Sequence, residues 1–361
     1  MGFLNKKIIG FDPDIFGIDL SDLSVKVLQL EKDGALEKIR SFSVGEIPKG
    51  NIDDGNIINK EKVAEIIKKT VEKAAPKKIK IKKVICSLPE SKVFLRIVAI
   101  PKMRDSEVRE AIKWEMEANI PLPIEQVYFD WQVLSSAEKN KQNVLTVAVS
   151  KKIVDDLMEV FDLADLEVYG LEVESVASAR SLIDEKEEKK NMAELIVDLG
   201  AQRTSFIMAI DGFPYFTSSI PFSSESINDA IAKGLNLSAP EAEKVKILHG
   251  IESNHENPIF RAIGSLLENL VQEIEKTLDF YGGMEKEPAP VGKIILSGGG
   301  SNLKGLLPFL AKRLNKEVEI GDPWVNLKMG NYLPAIDRQS ASRYSTVIGL
   351  ALRGLRYNDE N

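Results

Sequence analysis

Apolar positions recur along this chain at two alternating spacings, and the switches between them outline its elements. Near the start, Gly17-Ile18-Asp19-Leu20-Ser21 leads into Val25-Lys26-Val27-Leu28 and then Asp33-Gly34. Much later, Ile196-Val197-Asp198-Leu199-Gly200 leads into Ser205-Phe206-Ile207-Met208 and Asp211-Gly212. Each reads as an apolar strand ending in Asp-Leu, a tight polar turn, a second strand and an Asp-Gly hairpin. Both continue into a third strand that reaches an Ile-Pro pair, Ile47-Pro48 and Ile220-Pro221. A three-stranded meander met twice, about 180 residues apart, predicts a duplicated domain.

Helical spacing fills the intervals. Val63, Ile66, Ile67, Val71 and Ala74 mark one helical face, and the apolar run Val84-Ile85-Cys86 follows as a strand, giving a mixed α/β lobe. Next come a strand from Phe94 to Ile100, a helix from Ser106 to Asn119, and strands Tyr128 to Leu134 and Val144 to Ser150. Asp105 or Ser106 is placed to cap that helix, and Pro121 and Pro123 end it. Ser238 with Glu241 makes a capping box, so Glu243 and Lys246 ride on the helix it starts. A broad apolar face (Ile259, Ile263, Leu266, Leu267, Leu270, Ile274, Leu278) predicts a core helix of the second lobe ending at Gly282-Gly283, with coiled-coil pairing the alternative. Lys293 to Ser297 is a strand, followed by Gly298-Gly299-Gly300-Ser301-Asn302 and a helix containing Leu303, Leu306, Leu307 and Leu310.

Composition narrows the class. The chain has 361 residues, 43% hydrophobic and 29% charged, with 48 basic and 55 acidic side chains for a net charge of −7. At about 150 residues per domain this predicts two globular units. No apolar run approaches the roughly 20 residues of a membrane-spanning helix. The start, MGFLNKK, lacks the apolar core of a secretory signal. These features predict a soluble intracellular protein, and the acidic balance argues against bulk nucleic-acid binding. Asp184 to Asn191 is a charged linker. The lysine-rich run Lys77 to Lys83 reads as a solvated lead-in to the next strand, against the alternative of an acidic-lipid or nucleic-acid contact.

Few side chains remain for chemistry. The single cysteine, Cys86, excludes an intramolecular disulfide and reads as a buried strand residue. His249 and His255 are six apart, not the spacing that places two imidazoles on one helical face, and read as surface residues. No Gly-x-Ser-x-Gly elbow occurs. Hydrolytic chemistry would therefore use carboxylates and a bound cation. Asp19 and Asp198 occupy matched turns, where facing carboxylates would hold Mg²⁺ through waters beneath a nucleotide's phosphates. The triple glycine lets backbone approach a flat ligand, yet it is neither a Walker sequence nor a Rossmann fingerprint.

Together these elements resemble the actin, sugar-kinase and heat-shock-chaperone ATPase superfamily. Asp19 falls in its first phosphate turn, Asp198 in its second, and Gly298 to Ser301 in its adenosine motif. Glu174-Ser175-Val176-Ala177 is similar to its connecting helix, and Glu243 with Lys246 to its ribose-contacting Glu-x-x-Lys. Within the superfamily the chain most resembles the PilM family of type IV pilus assembly proteins, related to the division protein FtsA. The matching stretches are Gly17-Ile18-Asp19, Ile47-Pro48-Lys49-Gly50, Glu172-Val173-Glu174-Ser175, Ser297 to Ser301, and Ile348 to Gly354. The block from Pro101 to Ser150 resembles the small subdomain inserted in that family.

The resemblance implies two duplicated ribonuclease-H-like α/β lobes around a nucleotide cleft. It assigns 1–95, 172–185 and 340–361 to the first lobe, and 96–171 to the insertion. The second lobe takes 192–235 and 291–339, with 236–290 as its helical upper part. It implies ATP and Mg as cofactors, held by Asp19, Ser21, Asp22, Ser24 and Lys26 on one side. Asp198, Gly200, Gln202, Arg203 and Thr204 serve on the other, with Glu243, Lys246, Gly298, Gly299, Gly300 and Ser301 at the adenosine and Glu174 as catalytic carboxylate. Ser21 stands where the family has Gly, and Asp22 adds a second acid; both changes predict slow or absent hydrolysis, with Arg203 offsetting the acid if it points inward.

The resemblance further implies recruitment to the inner membrane by the N-terminal cytoplasmic peptide of a PilN-like protein, lying in a groove lined by Arg96, Val108, Ile112 and Trp114. Trp114 is off the helical stripe of Val108 and Ile112, and packing on Pro121 and Tyr128 is its alternative role. Contacts with pilus motor ATPases and self-association stay open. The polar stretch from Leu355 to Asn361 lacks the amphipathic pattern of a lipid-binding helix, so no direct membrane insertion is expected. The competing readings are an FtsA-type filament-forming ATPase and a sugar-kinase-like phosphotransferase.

Overall fold

The computed structural model describes residues 14–134, 140–186, 192–251, 257–284, 288–329, 336 and 338–356. The first meander is β1 (Phe16–Leu20), β2 (Ser24–Asp33) and β3 (Leu36–Glu46). A small hairpin, β4 (Ile52–Asp53) with β5 (Asn56–Ile57), precedes helix α1 (Lys60–Glu72). Asn59 caps α1 by accepting the Lys62 N–H at 3.0 Å. After β6 (Ala75–Pro76), strand β7 (Lys83–Leu88) lies parallel to β1. The inserted region comprises β8 (Val93–Pro101), α2 (Asp105–Asn119), β9 (Val127–Leu134) and β10 (Lys141–Ser150). Then follow α3 (Lys151–Leu163), β11 (Glu167–Val173) and α4 (Glu174–Leu182).

The second meander, β12 (Ala193–Leu199), β13 (Thr204–Ile210) and β14 (Phe213–Ile220), repeats the first. Helices α5 (Ser224–Leu235), α6 (Ala239–His249) and α7 (Pro258–Met284) build the upper part of this lobe. The chain ends through β15 (Val291–Ser297), α8 (Leu306–Leu314), β16 (Val318–Ile320), α9 (Arg338–Ala341) and α10 (Ser345–Arg356). The first sheet runs β11-β7-β1-β2-β3-β6; the second runs β16-β15-β12-β13-β14-β8-β10-β9. In each lobe an antiparallel meander is extended by parallel strands on the side of its first strand. The duplication expected from the two Asp-Leu strands is therefore present as architecture.

Each sheet buries both faces. On the first, Phe16, Ile18, Val25 and Val84 meet α1 and α3, while Leu28, Leu30 and Ile39 meet Trp324 and the α10 residues Val347, Ile348 and Ala351. Gly349 of α10 lies so close to the Ala177 carbonyl that any Cβ would collide with it, which sets the approach of α10 to α4. In the second lobe, Ile259, Ile263, Leu267, Leu270 and Ile274 of α7 pack on the sheet as core. That packing is the expected role of α7 and not the coiled-coil alternative.

Several expected boundaries move. Helix α7 runs through Gly282 and Gly283 to Met284, because interior glycine weakens a helix without stopping it. Arg104, not Asp105 or Ser106, holds the N-cap position of α2, where its N–H donates to Glu107 Oε2 at 3.1 Å. Residues 151–171, assigned to the insertion, pack with the first lobe: Ile153, Leu157, Val160 and Phe161 join its core, and β11 pairs with β7. Trp324, Leu327 and Ile336, assigned to the second lobe, likewise pack with Leu28 and Leu30 of β2 and Ile39 of β3 in the first lobe. The strands β8, β10 and β9 instead extend the second sheet, joined to β14 through the single pair Phe216 and Arg96.

Cys86 is fully buried in β7, His249 is exposed at the end of α6, and Lys77 and Lys82 pair with Glu31 and Asp165. His255, residues 187–191 and residues 357–361 lie outside the described residues.

Candidate functional site

The two meanders place identical turns face to face. The N–H of Ser21 donates to the Ser24 carbonyl at 2.9 Å, and the N–H of Gly200 donates to the Arg203 carbonyl at 2.9 Å. Between these turns opens a cleft of about 1160 Å³. Every residue expected there from sequence lines it except Thr204. That side chain faces inward, fully buried, and its hydroxyl donates to the Phe222 carbonyl at 2.8 Å. The alternation of side chains along β13 turns it away from the cleft.

Asp19 and Lys26 are register partners across β1 and β2, and their charged groups meet at 2.6 Å. Ser87 on β7 donates to the other Asp19 oxygen at 3.3 Å and accepts the Leu20 N–H at 3.0 Å. In the second lobe Asp198 has Ser205 as its register partner, so it has no lysine of its own. Burial, with Asp19 and Glu90 nearby, raises its pKa from the ordinary 3.8 to about 6, against the pull of Lys26. Burial works against the charge on Lys26, yet Asp19, Asp198 and Glu174 together raise its pKa above the usual lysine value. Lys26 thus sits as a fixed cation among three carboxyl groups.

Glu174 opens α4 at the cleft floor. Burial, then Asp19 and Glu90, push its carboxyl well above the usual range. Glu172, near the end of β11, does not line the cleft and binds Arg180 and Arg353, a structural pairing. Glu90 belongs to no motif that the sequence shows. It ends a Leu-Pro-Glu step after β7, is 7% exposed, and lines the cleft beside Glu174.

On the upper side, Gly298 takes φ +77°, and a Cβ there would strike the Asp198 carboxylate and the Leu199 carbonyl. Ser301 closes this turn by donating to the Gly298 carbonyl at 2.7 Å. The capping box predicted for α6 is present, with the Ser238 N–H donating to Glu241 at 2.9 Å. It delivers Glu243 and Lys246 to the cleft. Lys246 Nζ donates to Ser224 Oγ at 2.7 Å, and burial lowers its pKa.

Arg203 points inward, but toward an acid that sequence reading passed over. Its guanidinium lies 3.6 Å from Asp54 at the tip of the β4–β5 hairpin, and Nε donates to Ser219 at 3.0 Å. Asp22 turns to the same hairpin, accepting the Gly55 N–H at 2.8 Å. The only available signal was the Asp53-Asp54-Gly55 turn sequence.

The expected peptide groove does not assemble as a set. Val108 and Ile112 are fully buried in the small core of the insertion with Ile100, Met116 and Val144. Their regular helical stripe is a core face. Trp114 is 71% exposed rather than packed on Pro121 and Tyr128, and Arg96 is exposed on β8 with Asn119 at 3.3 Å.

Among the described residues no three carboxylate, thiol or imidazole groups converge as direct metal ligands. The facing pair of aspartates and the open glycine turn fit a cation held through waters beside a phosphate chain.

A family profile described as type IV pilus assembly protein PilM matches residues 17–355. The chain belongs to that family. A solved PilM-PilN type IV pilus biogenesis complex is similar at 26% identity, covering 95% of this chain and 99% of that one, with a TM-score of 0.82. The cell division protein FtsA of Neisseria meningitidis serogroup B is 22% identical over 356 residues, 87% of this chain and 84% of that protein. FtsA of Buchnera aphidicola is 23% identical over 255 residues, 63% of this chain and 57% of its own length. MreB5 of Spiroplasma citri, solved with AMPPNP, shares the fold at 14% identity, covering 96% and 98% of the two chains with a TM-score of 0.52. The chain thus has the actin-like ATPase fold that the resemblance carried by its paired Asp turns and glycine turn implies. Among the described residues no helix is long and apolar enough to cross a membrane.

Proposed function

We propose that this PilM-family chain binds Mg-ATP between its lobes and acts as a nucleotide-dependent scaffold of a pilus assembly platform. The observation that carries the reading is the convergence of Asp19, Asp198 and the Gly298 turn on one cleft. Bound through water, Mg²⁺ would neutralise phosphate charge. Asp19 and Asp198 would hold its water shell, and the amides of the two matched turns would meet phosphate oxygens. Glu243 and Lys246 would contact the ribose, Gly298 to Gly300 the adenine side. The solved structure with AMPPNP supports a nucleotide as the occupant by likeness of fold.

Hydrolysis is expected to be slow. Glu174 would accept a proton from the attacking water only in its ionised form, and its burial beside Asp19 favours the protonated one. A melting-temperature series with Mg-ATP, on protein freed of retained nucleotide, tests the site. Ligand at 100 times its Kd adds about 2.7 kcal/mol to the native state, and an unshifted melt rejects the reading.

The PilM-PilN complex supports a PilN-like partner for this chain. We assign its N-terminal cytoplasmic peptide to the face between the first lobe and the insertion, with exposed Arg96 and Trp114 as contacts. Strand edges and adjacent pockets suit an extended peptide. Attachment to the inner membrane would then come through the partner. Titration of the cognate partner's first ~20 residues against parent and Trp114→Ala tests this, and a parent that does not bind rejects it.

A further inference from the structure

Glu90 and Glu174 grip each other's backbone. The Glu90 N–H donates to Glu174 Oε2 at 3.3 Å, and the Ser175 N–H donates to Glu90 Oε2 at 3.2 Å. The two residues are 84 positions apart, one ending the loop after β7 and the other starting α4. Each carboxylate thus takes a main-chain N–H at the start of the other's helical turn, Glu90–Lys92 in a 3-10 turn and Glu174–Leu182 in α4. First-turn N–H groups lack partners within their own helix, so this exchange satisfies one on each side. It also fixes the direction in which Glu174 enters the cleft.

We propose that Glu90 is the positioning residue for Glu174. The inference rests on the reading of the cleft as an ATP site, and it adds a residue to which no motif points. Glu90 is only 7% exposed, and among the described residues it takes part in no ion pair. Its second oxygen, Oε1, has no partner in hydrogen-bonding geometry. Burial raises the carboxyl above its usual range, with the nearby Thr217 hydroxyl and the Ser175 amide pulling the other way. A carboxyl group held this way, at a cost in desolvation, is costly as packing alone. Its return is the orientation of α4's first turn. Removing the carboxylate frees the Ser175 amide and loosens the first turn of α4 that carries Glu174, while the main-chain N–H of residue 90 stays available to Glu174 Oε2.

The test uses the full chain with Mg-ATP as the probe and two variants, Glu90→Ala and Glu90→Gln. The glutamine keeps an acceptor oxygen for the Ser175 N–H; the alanine does not. In Glu90→Ala, single-turnover hydrolysis should fall about tenfold or more while the Kd for Mg-ATP stays within about twofold. Amide exchange at Ser175, read without nucleotide, should speed up in the same variant. Glu90→Gln should restore both towards the parent. An alanine variant that turns over like the parent overturns the inference, as does a glutamine variant as impaired as the alanine. A parent that binds Mg-ATP without turnover overturns the positioning role and leaves the nucleotide reading intact. A parent that does not bind Mg-ATP is instead the failure of that reading, and unchanged Ser175 exchange in Glu90→Ala then overturns the brace itself.

Discussion

Asp54 and Arg203 face each other at 3.6 Å across the mouth of the cleft, one from each lobe. Asp54 is anchored on its own side by Lys92 at 2.6 Å. A second ion pair, Lys49 with Glu225 at 2.8 Å, joins the lobes near the start of α5. Both pairs face solvent and are screened by it, so neither adds much to folding stability. Their effect should appear in lobe opening. The double variant Asp54→Asn, Glu225→Gln should broaden the distance distribution between spin labels on the two lobes at nearly unchanged melting temperature. High salt should reproduce the broadening in the parent. An unchanged distribution would show that the pairs do not hold the lobes.

The repeat of Asp-Leu strands shows the duplicated α/β lobe, because register and alternation determine which side chains reach the turn. The actin-like fold itself followed from the family resemblance that this repeat, the glycine turn and the Glu174 segment carry together. The same local pattern could not show Glu90 or Asp54, whose roles depend on partners 84 residues away and on the opposite lobe. Thr204 was misplaced by one step of strand alternation. Val108 and Ile112 were misread because a helical apolar stripe looks the same whether it faces a core or a groove. Tertiary packing, absent from a single sequence, decides between the two.

That ambiguity gives a pair of opposite expectations on α2. Ile112→Asp buries a charge among Ile100, Val144 and Met116, and should destabilise the insertion by about 3 kcal/mol or more. Trp114→Ala, on the exposed side, should change stability by less than about 0.5 kcal/mol. Denaturant melts separate the two effects, so lost peptide binding is informative for Trp114→Ala alone. A melt of Ile112→Asp matching the parent would show that the α2 face is not a core.

Gly298→Ala tests the upper side of the cleft. The backbone there has φ +77°, and the new methyl would meet the Asp198 carboxylate and the Leu199 carbonyl. Strain of this kind costs about 1–3 kcal/mol and displaces Asp198. Both a lower melting temperature and a loss of the Mg-ATP shift are expected. A variant that melts lower but keeps the full shift would remove the glycine turn from the binding site.

Asp198 sets a pH window. Its pKa is raised in the folded chain to about 6 from the ordinary 3.8, so between those values the native state binds more protons than the unfolded one. Stability therefore falls as pH rises through this window and is level above it. The shift corresponds to about 1–2 kcal/mol once solvent screening at the cleft is allowed for. Below the unfolded value both states are protonated, so the slope is zero and the full contribution is present. Asp198→Asn should abolish this part of the slope and melt higher than the parent at neutral pH, without cation. Binding reverses the requirement, because a water-bound cation needs the ionised carboxylate. Mg-ATP affinity should weaken as pH falls below about 6, with proton release on binding measurable by calorimetry in buffers of different ionisation heat. Glu174 and Glu90, also raised by burial, add slopes of their own, so the decisive quantity is the difference between parent and Asp198→Asn. Identical pH profiles in the two proteins would remove Asp198 from both the stability window and the cation site.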